Sequence, residues 1–233
     1  MKVVSVNVGK IQTQPWRDGT PSAMHKSVVE GQVAVNKLGL AGDEQADSKS
    51  HGGEDKAVFV MPESNYALFN IDQPFGFLGE NLTLSGLDET EVCLGDRLQI
   101  GTVLLEVTQP RSPCWKLGLQ ASGGSDWSSA EFLKTYSESG RVGFYCRVLA
   151  AGVLEQGQSV TWLTRDCSED NAAKTPYKIS IQKLFLAKQF HQTDKEWQIL
   201  QAVVKHPALS TSWQKAIQQL IENHIEDPSD SNV

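Results

Sequence analysis

One cysteine stands in a setting suited to chemistry. It lies in Gln109-Pro110-Arg111-Ser112-Pro113-Cys114-Trp115-Lys116, directly after the apolar run Val103-Leu104-Leu105-Glu106-Val107-Thr108. Each proline fixes its own φ and pushes the residue before it toward extended geometry. Gln109 and Ser112 are therefore restrained, and the loop holding Cys114 is expected to be stiff. Cations at Arg111 and Lys116 favour a thiolate over a thiol. A rigid thiolate in positive surroundings is a nucleophile, a sulfur carrier or a soft-metal ligand. The plainer alternative is a buried cysteine in a proline-braced turn.

Two further segments have binding chemistry. His51-Gly52-Gly53-Glu54-Asp55-Lys56 follows Leu40-Ala41-Gly42-Asp43-Glu44-Gln45. Adjacent glycines let backbone approach a ligand closely, and their amides can form an anion-binding nest. Taken alone, Gly-Gly is a weak signal, and the plainer reading is a tight turn followed by a solvated lysine. In Phe77-Leu78-Gly79-Glu80-Asn81-Leu82-Thr83, Asn81 is either a fixed amide facing a pocket or the head of an Asx turn.

In this order and spacing, the segments resemble the MOSC family, the domain found at the C-terminus of molybdenum cofactor sulfurases. The similarity is nearer to the free-standing bacterial YiiM-type members. It spans roughly residues 2 to 165, through Gly42-Asp43-Glu44-Gln45, His51-Gly52-Gly53-x-x-Lys56, Gly79-Glu80-Asn81-Leu82, Gly95-Asp96 and Gln109-Pro110-Arg111-x-Pro113-Cys114. The resemblance implies a mostly β fold with helices: a MOSC-type β-barrel core followed by a C-terminal three-helix domain. It implies a molybdenum–pyranopterin cofactor whose metal is ligated by Cys114. On that implication Arg111 forks the cofactor's phosphate and Lys56 adds a point charge. The Gly52 and Gly53 amides cradle part of the group, Asn81 meets pterin heteroatoms, and His51 delivers a proton. Cys114, His51 and Lys56 form the catalytic set.

The implied reaction reduces N-hydroxylated compounds (hydroxylaminopurines, amidoximes, hydroxamic acids) to the amine or amide. It takes two electrons and two protons and releases water. The chain has no Gly-x-Gly-x-x-Gly fingerprint and no ferredoxin-like cysteine run, so electrons are expected from an external flavin or iron–sulfur donor. The same cysteine also suits a persulfide sulfur carrier or transferase, or a non-catalytic protein that binds the cofactor.

The bulk numbers narrow the partners. The 233 residues are 39 % hydrophobic and 21 % charged, with net charge −7. That balance argues against non-specific binding to nucleic acid or a membrane surface. No stretch approaches the ~20 apolar residues of a spanning helix. The first ten residues lack the sustained apolar run of a secretory signal. Four widely spaced cysteines without a Cys-x-x-Cys pair read as reduced and cytoplasmic. On this reading Cys93, Cys146 and Cys167 are small buried hydrophobes, and self-association as a homodimer is left open.

The elements that must position these residues follow from patterning. Residues 2–8 read as a strand, and residues 25–29 and 32–35 as a hairpin around Glu30-Gly31. Lys56–Met61, Arg97–Ile100, Thr102–Thr108, Val142–Leu149 and Ser159–Thr164 are further strands. Pro62 suits the first turn of a helix running to Phe69. Trp127–Ser139 is helical, capped by Ser128 with Glu131 and closed by Gly140. The first domain spans 1–165, and 166–176 reads as a linker. Three helical patterns over 177–225 form the second domain, the second of them capped by Thr193 with Glu196, and 226–233 is a frayed acidic tail.

Overall fold

The run Val58-Phe59-Val60-Met61 carries no polar alternation, and its place in the fold explains why. In the computed structural model, which describes residues 1–17, 19–46, 52–164 and 179–226, this strand is buried on both faces. Thirteen strands form among the described residues, in chain order. They are β1 (Lys2–Gly9), β2 (Gln12–Gln14), β3 (Thr20–Ser22), β4 (Lys26–Val28), β5 (Val33–Asn36), β6 (Gly39–Leu40), β7 (Val58–Pro62), β8 (Leu82–Ser85), β9 (Arg97–Ile100), β10 (Val103–Pro110), β11 (Phe144–Ala150), β12 (Gly152–Leu154) and β13 (Val160–Thr164). The helices are α1 (Ser64–Leu68), α2 (Trp115–Gly123), α3 (Ser129–Ser139), α4 (Ile181–Phe190), α5 (Asp194–Val203) and α6 (Thr211–Glu226).

Eight strands make the main sheet, in the order β13-β9-β10-β11-β7-β8-β1-β4. The β7–β8 pair is parallel and its other ladders are antiparallel. The sheet curls until the start of β1 meets the residues leading into β13. Lys2 bridges Ser159, Val3 N–H donates to the Gln158 carbonyl at 2.9 Å, and Val160 N–H donates to the Met1 carbonyl at 3.1 Å. The result is a barrel without full closure. Sheet β12-β5-β6 and the hairpin β2-β3 flank it.

Alternation along β7 divides the interior. Val58 and Val60 join Val6, Leu82, Leu98, Leu105, Val107 and Phe144 inside the barrel. Phe59 and Met61 point the other way, into a second core with Phe132 and Tyr136 of α3. Leu184 and Phe185 of α4, Leu200 of α5, and Trp213 and Ile217 of α6 complete that core. The three C-terminal helices therefore share apolar interior with the barrel's outer face. Burying such side chains contributes about 1.5–3 kcal/mol each.

Several expectations change in the structure. Residues 25–29 and 32–35 do not pair as a hairpin, because β4 joins β1 while β5 pairs with β6 and β12. Pro62 ends β7 instead of opening α1, whose N-cap is Glu63. Lys56 sits in a short 3-10 turn, Glu54–Lys56, ahead of the strand. Helix α2, beginning at Trp115, was not foreseen. Its Gly118 lies so close to α3 that a Cβ there would stand 2.4 Å from Ser129 Oγ. Cys93 is disulfide-bonded instead of a reduced buried thiol, while Cys146 is a free, fully buried one. Cys167, the 166–176 linker and residues 227–233 lie outside the described residues. The caps of α3 and α5 form as expected: Ser128 accepts from Glu131 N–H, and Thr193 with Glu196 makes a reciprocal capping box.

Two buried carboxylates brace the loops behind the cysteine segment. Glu80 accepts from Tyr66 Oη at 2.6 Å, Gly76 N–H at 2.7 Å and Thr83 Oγ1 at 2.9 Å. Glu89 accepts from Asn65 Nδ2 at 2.5 Å and Gly143 N–H at 2.7 Å. The Gly143 carbonyl in turn accepts from Arg111 N–H at 3.0 Å. Burial pushes the Glu89 carboxyl up to about 7, against the hydrogen bonds that favour its ionised form. The folded state then holds a proton that the unfolded chain releases near pH 4.5. From this group, stability is greatest below pH 4.5 and falls as pH rises toward 7. Glu89→Gln is expected to remove that slope, which is worth about 3 kcal/mol between the two limits. Urea titrations of both proteins at pH 5 and pH 8 check this, and an unchanged pH difference in the variant would refute it.

Candidate functional site

Strand β10 ends at Pro110, and the chain turns through Arg111–Pro113 into α2. Cys114 is the N-cap of that helix, with extended backbone (φ −128°, ψ 161°), and its side chain makes no capping bond. The sulfur is therefore not spent on holding the helix. It is half-buried and lines a cleft of about 740 Å³, counting the open mouth. The start of α2 adds the partial positive charge of unsatisfied amides.

Arg111, Lys56, Asn81 and Lys116 line the same cleft. Arg111 is buried, 5 % exposed, with its guanidinium carbon 5.7 Å from the Phe59 ring centroid and 5.9 Å from that of Tyr136. Its Nη1 is buried and has no hydrogen-bond partner among the described residues. Burial works against its charge, whereas Tyr136, Cys114, Tyr145 and Glu80 work for it. The balance holds the guanidinium above its ordinary pKa. A buried cation with an unspent donor costs stability unless something anionic meets it. Lys116 donates from Nζ to the Pro21 carbonyl at 3.0 Å.

Asn81 is a fixed amide, and its bonds are internal. Oδ1 accepts from Phe59 N–H at 3.0 Å, while Nδ2 donates to Asp43 Oδ2 at 2.8 Å and to the Asn7 carbonyl at 3.3 Å. Both amide hydrogens are thus committed, and the side chain holds Asp43 in place. Gly52 and Gly53 are not among the described residues that line the cleft. Gly53 instead serves the chain's path: its φ of 93° starts the turn that delivers Lys56. A non-glycine residue there would be strained. His51 lies outside the described residues.

The sequence reading missed part of the wall. Lys26 and Asp43 form an ion pair inside the cleft, each side chain 8 % exposed. Gly9 N–H also donates to Asp43 Oδ1 at 2.7 Å. Burial pulls the Lys26 ammonium down, and Asp43 partly restores it. Tyr145, Phe59 and Met24 supply the apolar lining. The pair joins β4 to the loop after β6, two segments that no local pattern connects. Beyond the cleft, Arg17 stacks 4.0 Å over the Trp115 ring, and Trp16 meets that ring edge-on.

The arrangement can bind an anion through Arg111 and lysines, and it presents a soft sulfur to the same space. No group of three or more metal-ligating side chains occurs among the described residues. No helix among them is long and apolar enough to cross a membrane.

A family model described as the MOSC domain matches residues 47–161. Protein YiiM of Escherichia coli (strain K12) is 32 % identical over 234 residues, covering 96 % of this chain and 95 % of that one. The crystal structure of YiiM from Geobacillus stearothermophilus superposes with a TM-score of 0.72 at 32 % identity, covering 94 % of this chain and 98 % of that one. A Gibberella moniliformis protein named "Reductase" is 33 % identical over 171 residues, which are 70 % of this chain and 29 % of that protein.

Proposed function

The chain belongs to the MOSC family as a YiiM-type member, and from that premise we propose that it binds the molybdenum–pyranopterin cofactor and reduces N-hydroxylated compounds to amines or amides. The observation that carries this reading is the single cleft that Cys114 lines together with the buried cation Arg111, Lys56 and Lys116. The residues fit the group. Arg111 offers a planar fork to its phosphate, and Lys56 and Lys116 add positive charge. Cys114 offers a thiolate to a metal already held by the pterin's sulfurs. When bound, the cofactor supplies the two-electron chemistry that the side chains lack.

The chain's own residues bind, orient and shield. Phe59, Met24 and Tyr145 keep part of the wall apolar, which strengthens each charge–charge contact inside it. The Lys26–Asp43 pair, pinned by Asn81 and Gly9, keeps a fixed dipole in that wall. Electrons must come from a separate flavin or iron–sulfur donor.

Turnover of a hydroxylaminopurine with an artificial reductant tests the reading. Protein made in cells that synthesise the cofactor is expected to convert it to the aminopurine, and protein from cells blocked in that synthesis is not. Equal activity of both preparations would overturn the molybdenum reading. Cofactor-loaded protein with no turnover of any N-hydroxylated base, amidoxime or hydroxamic acid would make it a binding protein.

A further inference from the structure

We propose that Asp55 is a positioning residue, through which the C-terminal helices set where Lys56 stands in the cleft. The inference rests on the reading of that cleft as an anion site.

Asp55 precedes Lys56 in the 3-10 turn and is held from three sides. Its Oδ1 pairs with Arg147 Nη2 at 2.8 Å. Its Oδ2 accepts from the Thr211 N–H, the first residue of α6, at 3.0 Å. Its carbonyl accepts from Thr108 Oγ1 at 2.6 Å. Arg147 also donates to the Ala208 carbonyl at 3.0 Å and pairs with Glu106 at 3.3 Å. The turn before α6 then grips β10: Ser210 N–H donates to the Thr108 carbonyl at 3.2 Å, and Ser212 Oγ donates to Gln109 Oε1 at 3.3 Å. Residues 208–212 thus fasten two segments at once. One leads into Lys56 and the other leads into Arg111 and Cys114. Carboxylate-to-amide bonds at a helix start are charge-assisted and favoured by the helix dipole. They fix a side chain more firmly than neutral bonds would.

The test reads the charge around Cys114 and needs no molybdenum, so it can fail or succeed independently of the proposed reaction. Cofactor-free protein is reacted with a dianionic aromatic disulfide (bis-carboxynitrophenyl) and with neutral dipyridyl disulfide. In each case the Cys114 thiolate attacks, a mixed disulfide forms and one aryl thiolate leaves; the carboxynitrophenyl thiolate is coloured, and the pyridyl thiolate takes a proton from water and is read as the absorbing thione. The same proteins carrying Cys114→Ser set the background. The ratio of the two rates reports local positive charge, while the neutral rate reports access.

Thr211→Pro removes one N–H from Asp55 without altering any charge, at a helix position that accepts proline. It is expected to lower the anionic-to-neutral ratio about twofold, and Asp55→Ala about threefold, as Lys56 leaves its place. Loss of the Asp55 charge by itself would raise the ratio, so the expected change has the opposite sign to a simple charge effect. An unchanged or increased ratio in both variants would overturn the proposal. So would equal acceleration of both reagents, which means only that the cleft has opened.

Discussion

Cys114→Ser is expected to abolish cofactor-dependent reduction while leaving the fold intact. The two side chains differ by one atom, but a serine hydroxyl is not a thiolate and gives a soft metal nothing to hold. Changes to groups that merely support a ligand cost about 10–100-fold, and loss of the ligand itself should exceed that. The fold has no reason to suffer. The sulfur makes no capping bond at the start of α2, and serine is a better N-cap than cysteine. Far-UV dichroism and the urea midpoint should therefore match those of the parent protein. Substantial turnover by folded Cys114→Ser protein would remove the cysteine from the metal's coordination.

Arg111→Met should separate stability from binding. Methionine nearly fills the space of the arginine stem and packs well against Phe59 and Tyr136. It eliminates a buried cation whose Nη1 is unsatisfied. Replacing buried charge by apolar volume is often neutral or stabilising, so the cofactor-free variant should be as stable as the parent or about 1 kcal/mol more stable. Cofactor occupancy should fall. A charge-assisted hydrogen bond contributes about 1.5–3 kcal/mol, equivalent to roughly 10–100-fold in affinity. Normal occupancy with lost turnover would place Arg111 on the substrate instead of the cofactor. A strongly destabilised variant would mean that the arginine is a structural residue.

These expectations rest on side chains of unequal visibility in the sequence. Cys114 and Arg111 announced themselves, because two prolines and two cations around one cysteine form a local pattern. The helix that follows did not. Cys114 is a poor capping residue by type, and Gly118 breaks the helical pattern for a tertiary reason, the close approach of α3. The three C-terminal helices were readable from apolar stripes and from Thr193 with Glu196. Their fastening to Asp55 was not, since Arg147, Thr211 and Asp55 meet only in space. Lys26 and Asp43 escaped for the same reason: a buried ion pair leaves no periodicity. Asn81 left two readings open, a fixed amide or an Asx turn, because the direction of its bonds, inward to Asp43 and Phe59, is set by strand pairing. The mistaken hairpin at Glu30-Gly31 shows the limit of a local turn signal when each arm finds a better sheet elsewhere.

The most direct test of the account is molybdenum content. Protein purified from cells competent for cofactor synthesis should carry close to one molybdenum per chain, accompanied by the pterin's fluorescent oxidation product, and the Cys114→Ser variant prepared alongside should carry far less metal. Purified parent protein without molybdenum or pterin, or a variant that retains the full metal content, would contradict it.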